Sequence, residues 1–403
     1  MKKIGVSLLL ALCLAAGYLM LPSNYFLRRI IVHTYPKIDQ YPIFDNRVVE
    51  ARSPRPWEKA EAYNTADVAD SAMSAYGTAA FVVIKDGELL FESYGEEFSS
   101  ISLTNSFSMA KSIVSLAIGC AIGDGFIEGV DQPVGDFFGD FGAFEGDTLR
   151  IRHLLTMSAG VDFDESYTSP FKATAKLYYG NDLGKLTFGM KQNARPGVNF
   201  IYQSGVTQLL AFIVEKTTGE SLSRYVSRKL WTPMHAEENA LWSLDREGGM
   251  EKAYCCFNTN GRDFARFGQL ILNNGEWDGE QLVPADYLAE AISADSTLND
   301  NEYPGANRRY GFQFWHLEYK GLSVPYMRGL YGQYVFAIPE KNAVIVRLGR
   351  QRGAIDYSRH YPSDIDLWLS TGLDIIEAAD TSSKIIGAEG ASSGIIDTEG
   401  AQW

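Results

Sequence analysis

Ser108 and Lys111 are the residues from which a reaction can first be built. They stand three apart in Ser106-Phe107-Ser108-Met109-Ala110-Lys111-Ser112, and the apolar run Ile113-Val114-Ser115-Leu116-Ala117-Ile118 that follows reads as a buried helix. Positions i and i+3 share a helix face, so the lysine amine can reach the serine hydroxyl. An amine desolvated against apolar neighbours is a usable base, and the hydroxyl beside it becomes a usable nucleophile. At the start of a helix the serine's own backbone N–H also points at a developing oxyanion. An N-cap serine next to a solvated lysine is the competing reading. A second Ser-x-x-Lys, Ser169 to Lys172, contains Pro170 and has no apolar helix after it.

Tyr202 is the next candidate. It follows the Pro196-Gly197 turn and precedes a helical stretch, in Phe200-Ile201-Tyr202-Gln203-Ser204-Gly205. A phenol there can relay protons between serine, lysine and leaving group; a half-buried loop tyrosine is the plain alternative. The histidines at 33, 153, 235, 316 and 360 form none of the spacings that hold zinc, and no phosphate-cradling or dinucleotide-binding glycine pattern occurs. No metal or cofactor is therefore expected. The Gly390-Ala391-Ser392-Ser393-Gly394 sequence lacks the strand before it that a nucleophile elbow requires.

The elements that must hold these residues follow from periodicity and punctuation. Ala79 to Ile84 and Glu88 to Tyr94 flank Lys85-Asp86-Gly87, which predicts a β-hairpin. A mainly helical stretch comes next, with helices over Met109–Ile122, Ile151–Met157, Val206–Thr218, Ser221–Leu230 and Gly261–Asn274. Tyr310–Trp315, Tyr331–Ile338 and Ala343–Leu348 read as strands, and Ile365–Ile376 as an amphipathic helix. This order predicts an α/β (α+β) fold: an antiparallel sheet built from both chain ends, flanked by helices, with a helical lobe inserted between. The cleft between lobe and sheet is where a site belongs.

Composition bounds the function. Of 403 residues 46% are hydrophobic and 21% charged, so the chain can bury a large core. A net charge of −14 without a basic block excludes nucleic acid as a partner. Met1-Lys2-Lys3 followed by the uncharged run Ile4 to Pro22 reads as an export signal or an uncleaved membrane anchor, with the remainder outside the cytoplasm, in the periplasm. The expected organisation is a signal or anchor over 1–30, an extended lead-in over 31–60, a catalytic domain over 61–377 and a mobile Gly/Ser/Ala-rich tail over 378–403. Cys120, Cys255 and Cys256 are expected as structural thiols, because adjacent cysteines have the wrong Cα separation for an unstrained bridge.

Taken with Ile151-Arg152-His153-Leu154-Leu155-Thr156-Met157-Ser158-Ala159-Gly160 and Gly261-Arg262-Asp263-Phe264-Ala265-Arg266-Phe267-Gly268, these residues resemble the serine β-lactamase and penicillin-binding protein superfamily. The resemblance runs from about residue 40 to 375. It is closer to the class C-like (family VIII-type) esterases and 6-aminohexanoate-oligomer hydrolases. It implies a β-lactamase/transpeptidase-like fold with Ser108 as the acylated nucleophile, Lys111 as its base and Tyr202 as the second proton-transfer group. Ser204 stands where many relatives have Asn, and Tyr167 follows the Met-Ser-Ala-Gly turn as a substrate-contacting tyrosine does in the oligomer hydrolases. The third family motif, Lys-Thr-Gly, is absent. The strand in its place reads Val324-Pro325-Tyr326-Met327-Arg328-Gly329, whose backbone from Met327 to Gly329 is expected to supply a second oxyanion donor, with Arg328 available to a substrate carboxylate or to a structural ion pair.

The resulting expectation is a serine hydrolase acting on a small amide or ester, like the 6-aminohexanoate-dimer hydrolases. A β-lactamase, a D-amino-acid peptidase and a membrane-tethered sensor that acylates without turnover are the alternatives.

Overall fold

The computed structural model describes residues 2–65, 70–139, 141, 143–144 and 147–392. Its main elements in chain order are α1 (Lys2–Met20), α2 (Tyr25–His33), β1 (Asn46–Val49), β2 (Lys59–Asn64), β3 (Thr78–Lys85), β4 (Glu88–Tyr94) and β5 (Thr104–Asn105). The lobe that follows holds α3 (Met109–Gly123), α4 (Ile151–Leu155), α5 (Ala173–Tyr179), α6 (Ser204–Thr218), β6 (Ala240–Ser243), β7 (Phe257–Thr259) and α7 (Gly261–Leu272). The chain then returns through β8 (Trp315–Tyr319), β9 (Leu322–Gly329), β10 (Gln333–Ile338) and β11 (Ala343–Gly349) to α8 (Ile365–Ser392).

The large sheet has the order β8-β9-β10-β11-β3-β4-β2. Its centre is the pairing of β11 with β3, which joins the two ends of the chain antiparallel, as the alternation of strands and helices predicts. Apart from the buried Arg347 in β11, the interiors of both strands are apolar, because both of their faces are covered. The β3–β4 hairpin closes on Asp86 and Gly87, each with positive φ, the conformation that a two-residue turn needs to match strand twist. One face of the sheet takes α7, which sits so close that a Cβ on Gly268 would lie 2.4 Å from Val344. The smaller sheet, β1-β6-β7-β5, carries the chain into the turn before Ser108.

Three expectations change. Residues 31–60, read as an extended lead-in, include the end of α2, all of β1 and the start of β2. β2 joins the sheet parallel to β4, so a segment without hydrophobic period is ordered by edge pairing. Tyr310–Trp315, read as a strand, is a loop closed by one bridge between its ends, and the strand begins at Trp315. The tail from 378 is helical through Ser392, because α8 carries on past its packed portion, Ile365 to Ile376; residues 393–403 lie outside the described residues. The Gly390–Gly394 sequence straddles that boundary.

No single helix among the described residues is long and apolar enough to cross a membrane. Leu9–Met20 and Pro22–His33 meet the length and composition together, bent by 85°.

Candidate active site

β5 ends at Asn105, and the chain turns sharply through Phe107, which has φ 43°, before α3 begins. A bulky residue in this left-handed conformation must be held by its surroundings. Asn105 does so: its Oδ1 accepts the Phe107 backbone N–H at 2.8 Å and the Cys256 backbone N–H at 3.1 Å. Ser106 ties the same two segments together, donating its N–H to the Phe257 carbonyl at 2.8 Å and accepting from Phe257 N–H at 3.2 Å. Ser108 therefore emerges at the N-terminus of α3 with its position fixed on both sides. The helix behind it is largely apolar and buried; its Cys120 is the expected structural thiol, its pKa pushed up to about 12 by burial.

Lys111 is buried, and its Nζ lies 3.0 Å from Ser108 Oγ and 2.9 Å from the Tyr254 carbonyl oxygen. The solvated-lysine reading is thereby set aside, and Ser108 makes no side-chain cap bond to its helix. The centroid of the Tyr202 ring is 5.0 Å from Lys111 Nζ. Tyr202 in turn packs on Trp315 at 5.5 Å and on Tyr310 at 5.8 Å. Serine and lysine from one stretch of chain thus converge with tyrosine from another.

The residues around Tyr202 explain its placement. Met157 receives both neighbours, its carbonyl oxygen accepting Ile201 N–H at 2.8 Å and its Sδ accepting Gln203 N–H at 3.4 Å. The Gln203 amide donates to the carbonyls of Val161 and Phe163 at 2.9 and 2.8 Å, holding the start of the next loop. That loop delivers Glu165, which accepts the Ser204 N–H at 2.7 Å and the Ser204 hydroxyl at 2.6 Å, and also the Tyr167 hydroxyl at 2.5 Å. Ser204 and Tyr167 are brought together by a carboxylate that motif spacing did not single out.

Ser108, Tyr167 and Ser204 line one cavity of about 570 Å³ with Phe107, Leu177, Tyr254 and Cys255. At the end of β9 the cavity wall is Leu330 and Tyr331, just after the Met327–Gly329 stretch singled out by resemblance. Gly329 abuts the Ser106–Ser108 turn, where a Cβ would lie 2.2 Å from the Ser106 carbonyl oxygen. The Leu330–Tyr331–Gly332 turn is held from beneath by Arg347, whose Nη1 donates to the carbonyls of Tyr331 and Gly332 at 2.9 Å each. Burial brings the Arg347 guanidinium down to about 10. Arg328 lies with its guanidinium 3.5 Å from the Trp315 ring centroid, and its buried Nη1 has no hydrogen-bond partner. Of the second Ser-x-x-Lys, Lys172 pairs with Asp164 at 2.5 Å and leaves Ser169 without a base.

The adjacent cysteines overturn the expectation of separate thiols: Cys255 and Cys256 are joined by a disulfide with Cα atoms 3.8 Å apart. The Cα separation is that of any neighbouring pair; a turn with Cys256 at φ 69° lets the sulfurs meet. The bridge borders the cavity through Cys255 and directly follows Tyr254, the carbonyl partner of Lys111. A Cys-Cys pair was the one sequence signal for this turn.

The sequence profile described as Beta-lactamase matches residues 66–360. A 6-aminohexanoate-dimer hydrolase from Paenarthrobacter ureafaciens is 25% identical over 286 residues, 67% of this chain and 72% of that protein. Among solved structures, a protein from Bacillus anthracis assigned as a 6-aminohexanoate-dimer hydrolase superposes with TM-score 0.66 at 23% identity, over 84% of this chain and 92% of that one. A family VIII carboxylesterase does so with TM-score 0.59 at 17% identity, over 81% and 99%. At these identities the two structures establish likeness of fold, the mixed sheet flanked by helices seen here. The extent of the profile match makes this chain a member of the Beta-lactamase family of serine hydrolases.

Proposed function

We propose that the protein cleaves a small amide or ester through an acyl-enzyme on Ser108. The observation that carries this reading is the 3.0 Å contact between Lys111 Nζ and Ser108 Oγ at the mouth of a buried helix, inside a cavity. Lys111 takes the hydroxyl proton as Ser108 attacks the carbonyl carbon, and Tyr202 passes a proton to the departing alcohol or amine. The Ser108 N–H, at the start of α3, meets the oxyanion. The close approach of the end of β9 to the nucleophile turn supports a second backbone donor from that segment. Water then releases the acyl group and returns the proton to Ser108.

The protein works outside the cytoplasm, tethered by α1. The Cys255–Cys256 bridge supports this reading, because disulfides persist in oxidising compartments.

Purified full chain and its Ser108→Ala variant are to be compared on a butanoyl ester, a cephalosporin and a linear 6-aminohexanoate dimer, with acylation followed by intact mass. Ser108-dependent turnover is expected on an ester or linear amide. Turnover that survives in Ser108→Ala removes the acyl-enzyme, and a stable adduct without turnover identifies a sensor.

A further inference from the structure

The Ser108 cavity is roofed by the chain that follows α1. Ile30, Ile31, Thr34, Tyr35 and Pro36 line it together with the nucleophile. α2 is fastened to the body on one side, where Phe26 and Leu27 are buried. Arg29 Nη2 donates to the Ile43 carbonyl at 2.5 Å, and the Tyr179 hydroxyl donates to the Thr34 carbonyl at 3.0 Å. The other side is open: Ile31, Val32 and Tyr35 are 63%, 72% and 77% exposed. Large apolar side chains grouped at the mouth of a cavity mark a surface that meets something apolar.

What it meets follows from the neighbouring helix. α1 is an apolar helix whose Leu9, Leu10, Leu12 and Leu14 are each at least 60% exposed. The bend of 85° between Leu9–Met20 and Pro22–His33 means that when α1 enters a bilayer steeply, α2 lies along its surface. In that pose Ile31, Val32 and Tyr35 enter the boundary between headgroups and acyl chains, as the apolar face of an interfacial helix does. Arg28, bonded to the carbonyls of Leu19 and Leu21, braces the corner between the two helices.

We infer that α2 seats the protein on the membrane with the Ser108 cavity opening beside it, and that the substrate is a bilayer amphiphile whose acyl part is an aliphatic chain. This rests on the serine hydrolase reading above and names its substrate class. The cavity fits the assignment: Ile30, Ile31, Phe107, Leu177 and Leu330 supply apolar wall around a polar centre at Ser108 and Ser204. Ser108 Oγ forms the bond to the acyl carbon, the C–O or C–N bond to the headgroup breaks, and the headgroup leaves with the serine proton. Water then adds its hydroxyl to the acyl carbon and its proton to Ser108, releasing a fatty acid into the bilayer.

Binding of a butanoyl and a decanoyl ester of the same polar alcohol to full-length Ser108→Ala, by titration calorimetry, reads the cavity without turnover. The decanoyl ester is expected to bind more than about a hundredfold tighter, since each added methylene leaves water; equal affinities overturn the inference. Wild-type turnover of the butanoyl ester, lost in Ser108→Ala, tests the hydrolase reading separately. Val32 lies outside the cavity lining, so Val32→Asp probes the membrane contact. With decanoyl ester embedded in vesicles of equimolar phosphatidylcholine and phosphatidylglycerol, Val32→Asp should lose at least about tenfold in turnover relative to wild type. An undiminished rate, with an unchanged melting temperature, overturns the seating of α2.

Discussion

The Lys111 amine is held between the Ser108 hydroxyl and the carbonyl oxygen of Tyr254, a residue 143 positions away in the chain. One of its hydrogen bonds is to the proposed nucleophile and the other to a fixed acceptor in the cavity wall. Lys111→Met keeps the length and apolar packing of the side chain while removing both bonds. It is expected to lower kcat by roughly 10²- to 10⁴-fold, the usual contribution of a positioned base. Single-turnover acylation is the measurement, and acylation at the wild-type rate assigns the base elsewhere.

Tyr202→Phe preserves the ring contacts with Trp315 and Tyr310 and deletes only the hydroxyl. Its kcat should fall about a hundredfold or more with KM little changed. An unaltered kcat excludes the tyrosine from proton transfer.

Gln203 holds the start of the loop that carries Glu165 and Tyr167 by two bonds to backbone carbonyls. Gln203→Ala strands both acceptors in the interior, a cost of about 2 kcal/mol. Urea denaturation should show that loss, and KM should rise because Ser204 and Tyr167 are no longer presented together. A variant with lowered stability and native KM would show the loop to be irrelevant to substrate.

Lys252 is buried beneath α5, its Nζ donating to the carbonyls of Leu177 and Gly180 at 3.2 and 3.3 Å. Burial lowers its pKa to about 7 from the ordinary 10.5. Between those values the unfolded chain keeps a proton that the folded chain lacks, so this lysine makes stability rise with pH. The slope is about 1.4 kcal/mol per pH unit, and it vanishes below pH 7, where both states are protonated. In Lys252→Met the stability curve from about pH 7 to about pH 10 should be flatter than in wild type. Parallel curves would mean that the folded lysine keeps its proton.

Arg347 fastens the Leu330–Gly332 turn through buried carbonyls. Arg347→Met is expected to cost about 3 kcal/mol or more, because several acceptors lose their donor at once. Melting by calorimetry checks the loss, and an unchanged midpoint would show the turn to be held by its strands alone.

Strong periodic signals are legible in the amino-acid order itself. The β3–β4 hairpin, the apolar helix behind Ser108 and the pairing of the two chain ends all follow from runs of buried residues punctuated by turns. The convergence of Ser108, Lys111 and Tyr202 is legible because their contexts, a helix start and a post-turn loop, are local. What long-range contact creates is not legible. Glu165 looks like one acid among several in its loop until Ser204 is folded onto it, and Tyr254 acts through a backbone carbonyl that carries no side-chain signature. The segment over 31–60 lacks period because its strands are edge strands and its helix end is a roof, ordered by what lies next to them. The Cys255–Cys256 bridge escapes an argument from Cα separation, because the local turn, and not that distance, decides whether the sulfurs meet.

Asn105 binds the turn before Ser108 to Cys256, 151 residues further on. During synthesis the chain emerges from its N-terminus, so Ser108 is made long before the residues that help set its backbone. Until Cys256 and Phe257 have left the ribosome, the Asn105 side chain holds only its neighbour Phe107, the Ser106 N–H lacks the Phe257 carbonyl, and Lys111 has no Tyr254 carbonyl to rest on. The Ser106–Ser108 turn is thus completed only once both halves of the chain are present to fold together.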